Sequence, residues 1–446
     1  MITSIDIFAG CGGLLLGMQQ AGVQALFAIE KDPMAFASLS ANFIEPQAPY
    51  KAFGDWPFWL EKKPYDIIEI LKDEEIRRKL TLLRGRVDLV CGGPPCQGFS
   101  VGGSRNGNDA RNKLPLRYLD FVSLVRPKII IMENVEGMAR RFLSRPGEAD
   151  TSYADWVVQQ LEEIGYSARW RVVNSRGFGV PQIRMRTIIF GFLREAASPA
   201  ADPGAFFDLL QDRARCSVSC KGLSPTKAVT VFEAIDDLNG ERRITCPDSP
   251  KFESGTYKAP VSAYARLMRR GITDSQVPDA HRFAVHKSAT LEFYHHVQAT
   301  QPYGRLPKAF LVSRGTKKDK KVYLDPGAPS STITTHPDEF IHYSEPRIIT
   351  VREMARLQSF PDDFVFRGRY TINGDRRGQD EARCCQVGNA VPPLMAEAMG
   401  NAAADFVADY CRENRAQKWG GGSAQGEATM ATGGSPDEEL VKNVSR

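Results

Sequence analysis

Two residue types able to do covalent chemistry stand at the ends of apolar runs. In "VDLVCGGPPCQGFS" (87–100), Val87, Leu89 and Val90 read as the end of a buried strand, and Gly92-Gly93-Pro94-Pro95 permits neither more strand nor an immediate helix. Cys96 is therefore expected on a rigid loop at a strand end, where a thiolate can act as a nucleophile. A free cysteine is more often a small core residue, but a core position is not normally framed by Gly-Gly-Pro-Pro before and Gly-Phe-Ser after. In "KIIIMENVEGM" (128–138), Glu133 and Asn134 follow Ile129-Ile130-Ile131-Met132 directly. A carboxylate at the end of an apolar strand is costly without a partner, so Glu133 is expected to work near Cys96.

A second site is signalled at the start of the chain. "SIDIF" (4–8) reads as a strand, runs into "AGCGG" (9–13) and continues as a helix, the arrangement that lets a ligand approach backbone N–H groups. The next strand, "ALFAI", ends in Glu30, twenty residues after Gly10. That is the offset at which nucleoside sites place the carboxylate that accepts ribose hydroxyls. The turn is shorter than a phosphate-binding P-loop and lacks Gly-Lys-Ser/Thr, which disfavours ATP.

The elements that must position these residues alternate up to about residue 192. Apolar runs "SIDIF", "ALFAIE", "VDLVC", "KIIIME" and "TIIFGF" are separated by helical patterns such as "GGLLLGMQQAG" and "PMAFASLSANF". Such alternation predicts crossover units and a parallel sheet covered by helices on both faces. Ligands then bind outside the carboxyl ends of the strands, where all the residues above fall. Residues 193–345 are richer in Pro, Gly and basic side chains and read as a second, smaller, loop-rich domain. "TVREMARLQSF" (350–360) and "PPLMAEAMGNAAADFVADY" (392–410) are helical again and need an apolar surface, so 346–412 is expected to return to the first domain. The tail, 413–446, is too poor in apolar residues to order itself.

The net charge of +5 is unevenly spread. Residues 241–330 hold sixteen Lys and Arg against eight Asp and Glu, which suits a phosphate-rich partner, although a solvated face with a lysine-rich tip at "GTKKDKKVY" explains it equally well. No apolar run approaches the length needed to span a bilayer, and the first residues lack the pattern of a secretory signal, so a cytoplasmic address is expected. Nine scattered cysteines, with Cys384 and Cys385 adjacent, argue for a reducing compartment. Cys216, Cys220 and Cys246 lack the paired short-loop spacing of a zinc site, and no metal is expected.

Taken together, "DIFAGCGGLLLGMQQAG", "VDLVCGGPPCQGFS", "MENVEG", "GFGVPQIRMRTIIFGF", "TVREMARLQSFPDDF" and "QVGNAVPP" resemble, in the family's usual order, the motifs of the cytosine-5 DNA methyltransferases, from about residue 3 to about 410. Pro-Pro-Cys-Gln separates this class from amino-nitrogen methyltransferases, which carry an aromatic residue after Pro-Pro. The resemblance implies an α/β, Rossmann-like S-adenosylmethionine-dependent methyltransferase domain (1–192 and 346–412) with a second, smaller loop-rich target-recognition domain (193–345).

It also implies S-adenosyl-L-methionine as cofactor and a division of roles. Cys96 would add to carbon 6 of cytosine, Glu133 would bond ring N3 and the exocyclic amine, and Arg184 and Arg186 would hold the carbonyl oxygen and Glu133. The cofactor pocket would comprise Phe8 against the adenine, Gly10, Cys11 and Gly12 near the methionine moiety, Glu30 on the ribose, Pro94 and Leu114, and Asn389 with Val391 closing it. An acidic residue should contact the adenine amine; of Asp66 in "YDIIEI" and Asp55 in "FGDWP", Asp66 fits better, unless it is only a helix cap. The glycine-rich stretch "GFSVGGSRNGNDARN" (98–112) resembles the loop that closes over an extruded base. The implied partner is double-stranded DNA, bound by a monomer, either beside a cognate restriction endonuclease in the same system or as an orphan methylase. RNA methylation as in the transfer-RNA branch is disfavoured because no Cys-Phe-Thr occurs in the recognition region. A silent DNA-binding relative is disfavoured because both the cysteine and the glutamate are present.

Overall fold

The computed structural model describes residues 2–95, 114–140, 151–316, 320–370 and 381–411. Through the first half the chain runs β1 (Thr3–Ile7), α1 (Gly13–Gln20), β2 (Gln24–Ile29), α2 (Pro33–Phe43), α3 (Ile67–Lys72), α4 (Glu74–Leu82), β3 (Leu89–Gly92), α5 (Leu114–Val125), β4 (Ile129–Val135), α6 (Tyr153–Glu163), β5 (Tyr166–Asn174), β6 (Gln182–Ile183), β7 (Met185–Leu193) and α7 (Pro203–Cys220). Local chemistry marks several of these boundaries. Asp32 caps α2 by accepting from the N–H groups of Met34 and Ala35, and Pro33 supplies a first-turn φ without needing a donor. Ser152 and Asp155 close a reciprocal capping box at the start of α6.

The central sheet has the order β2-β1-β3-β4-β7-β5. Its first four strands are parallel, as the alternating pattern predicts, but β7 runs antiparallel to both β4 and β5. The sheet is therefore mixed rather than wholly parallel. Only a short link joins Asn174 at the end of β5 to Met185 at the start of β7, and parallel pairing needs a crossover of a dozen or more residues. The reversal sets Arg186 opposite Val135 and Thr187 opposite Asn134.

Alternate strand residues face two apolar layers. Ile5, Ile7, Val90, Ile130, Met132 and Ile189 pack with α3, α5 and α6. Ala28, Cys91, Ile131 and Phe190 face the other way, with α1, α2 and α7. α7 lies directly on this face, the ring of Phe206 stacked on Phe190 at 4.1 Å between centroids.

The rest of the chain contributes α8 (Val231–Ile235), β8 (Arg243–Thr245), β9 (Glu253–Gly255), α9 (Ala263–Met268), α10 (Ser288–Thr300), β10 (Gly304–Arg305), α11 (Lys308–Ser313), β11 (Val322–Tyr323), β12 (Ser330–Ser331), β13 (Phe340–Ile341), α12 (Val351–Leu357), α13 (Arg383–Asn389) and α14 (Pro393–Phe406). Strands β10, β11 and β13 form a small sheet whose own core holds Tyr294, Val297, Leu306, Leu311, Tyr323 and Ile341. β12 pairs in parallel with β6 as a separate two-stranded sheet and ties this region to the link between β5 and β7.

Buried ion pairs join the segments that follow. Arg356 lies between Asp237 and Asp362, and Arg347 grips Glu353 with both terminal nitrogens. α14 returns to α1, where a Cβ on Gly17 would come within 2.5 Å of the Glu397 nitrogen, so only glycine allows this approach. Among the described residues no helix is long and apolar enough to cross a membrane.

Candidate active site

The turn after β1 is built from unusual backbone. Phe8, Gly10 and Gly12 all have positive φ, at 59°, 58° and 97°, and Phe8 bears a strain that glycine would not. A Cβ on Gly12 would sit 2.5 Å from the Phe43 ring, while the space around Gly10 is open. Glu30, at the end of β2, fixes the turn: its Oε2 accepts from Gly10 N–H at 2.8 Å and its Oε1 from Asp32 N–H at 2.7 Å. Burial raises the Glu30 carboxyl above its usual range. Cys11 is buried with its thiol pushed well up by burial, and its Sγ points to the Gln386 carbonyl at 3.8 Å.

Asp66 stands beside this turn, because Tyr65 N–H donates to the Glu30 carbonyl at 2.8 Å. Its Oδ1 caps α3 through Ile68 N–H, and its Oδ2 lies 3.8 Å from Lys31 Nζ. Asp66 is thus a helix cap with a second oxygen directed elsewhere. Asp55 follows Phe53, which bridges to Ala25 near the opposite end of β2.

The second cluster gathers at the end of β3 and β4. Asn134 Nδ2 donates to the Pro94 carbonyl at 2.9 Å and holds the rigid loop against β4 just before Cys96. A Cβ on Gly93 would lie 3.0 Å from Glu133 Oε2, which explains the glycine. Glu133 is nearly buried and pairs with Arg186, whose Nε is 2.7 Å from Glu133 Oε1. Cys96, and the stretch 98–112 expected to close over the base, lie outside the described residues. Pro94 is buried and Leu114, at the start of α5, is half-buried.

Arg184 is brought to different partners. Fully buried, it donates from Nη1 to the Ile333 carbonyl at 3.0 Å and from Nη2 to the carbonyls of Gly388 and Ala390, at 2.8 and 3.2 Å. It braces the backbone on either side of Asn389. The same segment abuts the first turn, since a Cβ on Gly13 would lie 2.6 Å from the Val391 carbonyl. Asn389 itself is exposed and donates to Glu381 Oε1 at 3.3 Å.

Three further buried residues, two of them connecting distant segments, have no role assigned from the sequence. Gln182 donates to Gln358 Oε1 and accepts from Ile333 N–H, and Gln386 joins Ser38 to the carbonyls of Arg367 and Glu381. Both glutamines lie inside motifs quoted above, where their apolar surroundings mark them as buried polar groups needing partners. Asp6 is fully buried in β1, with neither carboxyl oxygen hydrogen-bonded among the described residues, and burial with the nearby Glu30 raises its carboxyl well above the usual range. A lone acid within "SIDIF" is the signal for it.

The chain is similar to proteins whose names describe this chemistry. It is 31% identical to the type II methyltransferase M.AgeI of Thalassovita gelatinovora, over 89% of this chain and 97% of that one. With the type II methyltransferase M1.HphI of Haemophilus parahaemolyticus it shares 29% identity over 90% of this chain and 86% of the relative. The fold matches the crystal structure of a provisionally described DNA modification methyltransferase encoded within an E. coli prophage, with a TM-score of 0.60 and 23% identity, covering 92% of this chain and all of the other. Residues 2–404 match the family profile of the C-5 cytosine-specific DNA methylases. By that match and that identity the chain belongs to this family, the enzymes that methylate carbon 5 of cytosine in DNA.

Proposed function

We propose that this chain methylates cytosine in a specific duplex sequence, with S-adenosyl-L-methionine as donor and Cys96 as covalent catalyst. The observation that carries this reading is the Glu133–Arg186 pair, nearly buried beside a loop that Asn134 fixes at Pro94, two residues before Cys96.

The first turn fits the cofactor. It offers open space above Gly10, a carboxylate at Glu30 whose position is locked by two N–H groups, and buried acidic side chains that favour a cationic ligand. Phe8, Gly10, Cys11 and Gly12 would line its adenosyl and methionine portions, with Pro94, Leu114, Asn389 and Val391 closing around it. The proximity of Asp66 to Glu30 favours Asp66 over Asp55 for the adenine amine. The bound cofactor supplies an electrophilic methyl group on a sulfonium.

Carbon 5 of cytosine is a poor nucleophile until carbon 6 is occupied. The Cys96 thiolate adds to carbon 6 and forms a C–S bond, while the Glu133 carboxylate accepts from the exocyclic amine and from a protonated N3, the electron-poor form of the ring that takes the thiolate. Arg186 keeps Glu133 oriented and directs a remaining N–H towards the carbonyl oxygen. Carbon 5 then takes the methyl group; a base removes the proton from carbon 5, the C–S bond breaks and the thiolate returns. The target must leave the base stack to reach Cys96.

We assign base reading to the target-recognition segment within 193–345, whose basic stretch 241–330 and separate small core on β10, β11 and β13 support that division. Arg184 suits a bracing role, because both its terminal nitrogens are spent on backbone carbonyls. The test is transfer of labelled methyl from S-adenosylmethionine to duplex DNA and transfer RNA assayed side by side, followed by bisulfite sequencing of DNA from cells expressing the chain. Label in transfer RNA alone, or none in either with folded protein, overturns the reading.

A further inference from the structure

Glu381 has no part in the roles above, yet it stands at the rim of the cofactor turn. Its backbone N–H donates to Asp32 Oδ2 at 2.8 Å, its Oε1 accepts from Asn389 Nδ2 at 3.3 Å, and its carbonyl holds Gln386 Nε2 at 2.9 Å. Four carboxyl groups gather around this turn: Asp6, Glu30, Asp32 and Glu381. Two are already committed, Asp32 to the N–H groups of Met34, Ala35 and Glu381, and Glu30 to those of Gly10 and Asp32. Asp6 is buried with neither oxygen bonded among the described residues.

Among the described residues little cation is set against these carboxyls. The described groups that face Glu381 are Glu30 and Asp32 from the end of β2, Lys31 between them, Cys11 from the turn, and Cys385 and Asn389 from α13. Lys31, the cation among them, is largely exposed and leans to Asp66. Burial, then repulsion from Glu30 and Asp32, pushes the Glu381 carboxyl up to about 7. Negative charge held in a half-buried cluster is costly until a positive group arrives.

We propose that Glu381 is a further cofactor-binding residue, whose carboxylate receives the α-ammonium group of the methionine chain. The inference rests on the assignment of S-adenosylmethionine as cofactor. Glu381 adjoins Cys11, on the methionine side of the turn, and its Oε1 accepts from Asn389 Nδ2. Arrival of the ammonium offsets the repulsion from Glu30 and Asp32 and favours the ionised form. Cofactor affinity therefore grows as pH rises through the range in which free Glu381 loses its proton.

The test is calorimetric binding to the full chain and to Glu381→Gln, with three probes: S-adenosylmethionine, S-adenosylhomocysteine and 5′-methylthioadenosine, which keeps adenine, ribose and sulfur but lacks the amino acid. At pH 7.5 the variant is expected to bind the first two about tenfold more weakly and the third unchanged, the loss of one ion pair. Wild-type affinity for S-adenosylmethionine should rise about tenfold from pH 5.5 to 7.5 and the variant's should stay nearly flat. An equal loss for 5′-methylthioadenosine, which signals a packing role, or an unchanged affinity for S-adenosylmethionine, overturns the inference while leaving the cofactor assignment standing. A loss for S-adenosylmethionine alone would move the contact to the sulfonium and overturn it too. If the wild-type chain binds neither S-adenosylmethionine nor S-adenosylhomocysteine, the cofactor assignment falls and takes the inference with it.

Discussion

Arg186 holds Glu133 across the antiparallel β4–β7 ladder, Nε to Oε1 at 2.7 Å, with both side chains almost shut off from water. Burial lowers the Arg186 pKa and the Glu133 carboxylate opposes that shift, so each charge stabilises the other. Glu133→Gln keeps the shape but removes the charge, and kcat should fall by about 10²–10³-fold with cofactor affinity nearly unchanged. Glu133→Ala additionally strands a buried guanidinium and should cost roughly 3 kcal/mol of stability. Single-turnover kinetics and urea unfolding on the two variants separate these effects.

With Cys96 as the proposed covalent catalyst, Cys96→Ser should lower methyl transfer by at least about 10³-fold while S-adenosylmethionine still binds. Duplex DNA containing 5-fluorocytosine at the target should leave wild-type protein with a permanent adduct, read as a mass increase on the Cys96 peptide. Turnover retained by the serine variant, or no adduct with active cofactor-loaded enzyme, would refute the mechanism.

Arg184 satisfies three buried carbonyls from two segments far apart in sequence, Ile333 on one side and Gly388 with Ala390 on the other. Arg184→Met removes the side-chain donor from the Ile333 and Gly388 carbonyls, while Ala390 O keeps Gln358 Nε2 at 3.4 Å, and stability should fall by about 3 kcal/mol. Because the carbonyls flank Asn389, the same variant should raise KM for S-adenosylmethionine more than it lowers kcat. Urea titration and steady-state kinetics with cofactor varied measure both.

His281 and His342 are buried beside the Arg347–Glu353 pair, and burial lowers both imidazoles to about 4. His281 bonds Leu238 O and Thr350 Oγ1, and His342 Nδ1 accepts from Ser344 and Glu345 N–H, so the neutral ring is the one that fits. In the unfolded chain each titrates near 6.5. Between those values the unfolded state binds more protons, so stability is complete above about pH 6.5 and is lost as pH falls towards 4. Each ring should contribute a loss of about 2 kcal/mol between pH 7 and pH 5. The stability gap between wild type and His342→Gln should narrow by that amount over the same interval, and NMR should show both rings titrating near 4; a midpoint near 6.5 would refute the assignment.

The parts of the fold written in local pattern were legible in the sequence. Pro33–Phe43 is helical just where "PMAFASLSANF" suggests, and "SIDIF" and "KIIIME" fall on strands beside each other's neighbours in the sheet. The direction of β7 was not legible, because apolar alternation is the same read either way and only the short link from Asn174 to Met185 decides it. α7 falls within the stretch 193–345 expected to be loop-rich, although Phe206, Leu210, Ala214 and Val218 recur on one face. In the site, Glu133 was betrayed by its position after four apolar residues. The pairing with Arg186 came from resemblance, and the bracing by Arg184 and the nearness of Glu381 to the turn are tertiary facts with no local trace.

The packing of α14 on α1 at Gly17 has a consequence for biosynthesis. The helix that follows the first turn is made well before the surface it must lie against. A ribosome-bound chain that has not yet released residues 393–406 presents α1 with one flank bare and Gly13 without the Val391 carbonyl beside it. The surfaces on either side of this turn therefore come together only after translation has passed that point, and a shortened product that stops before residue 393 leaves Gly13 and Gly17 uncovered.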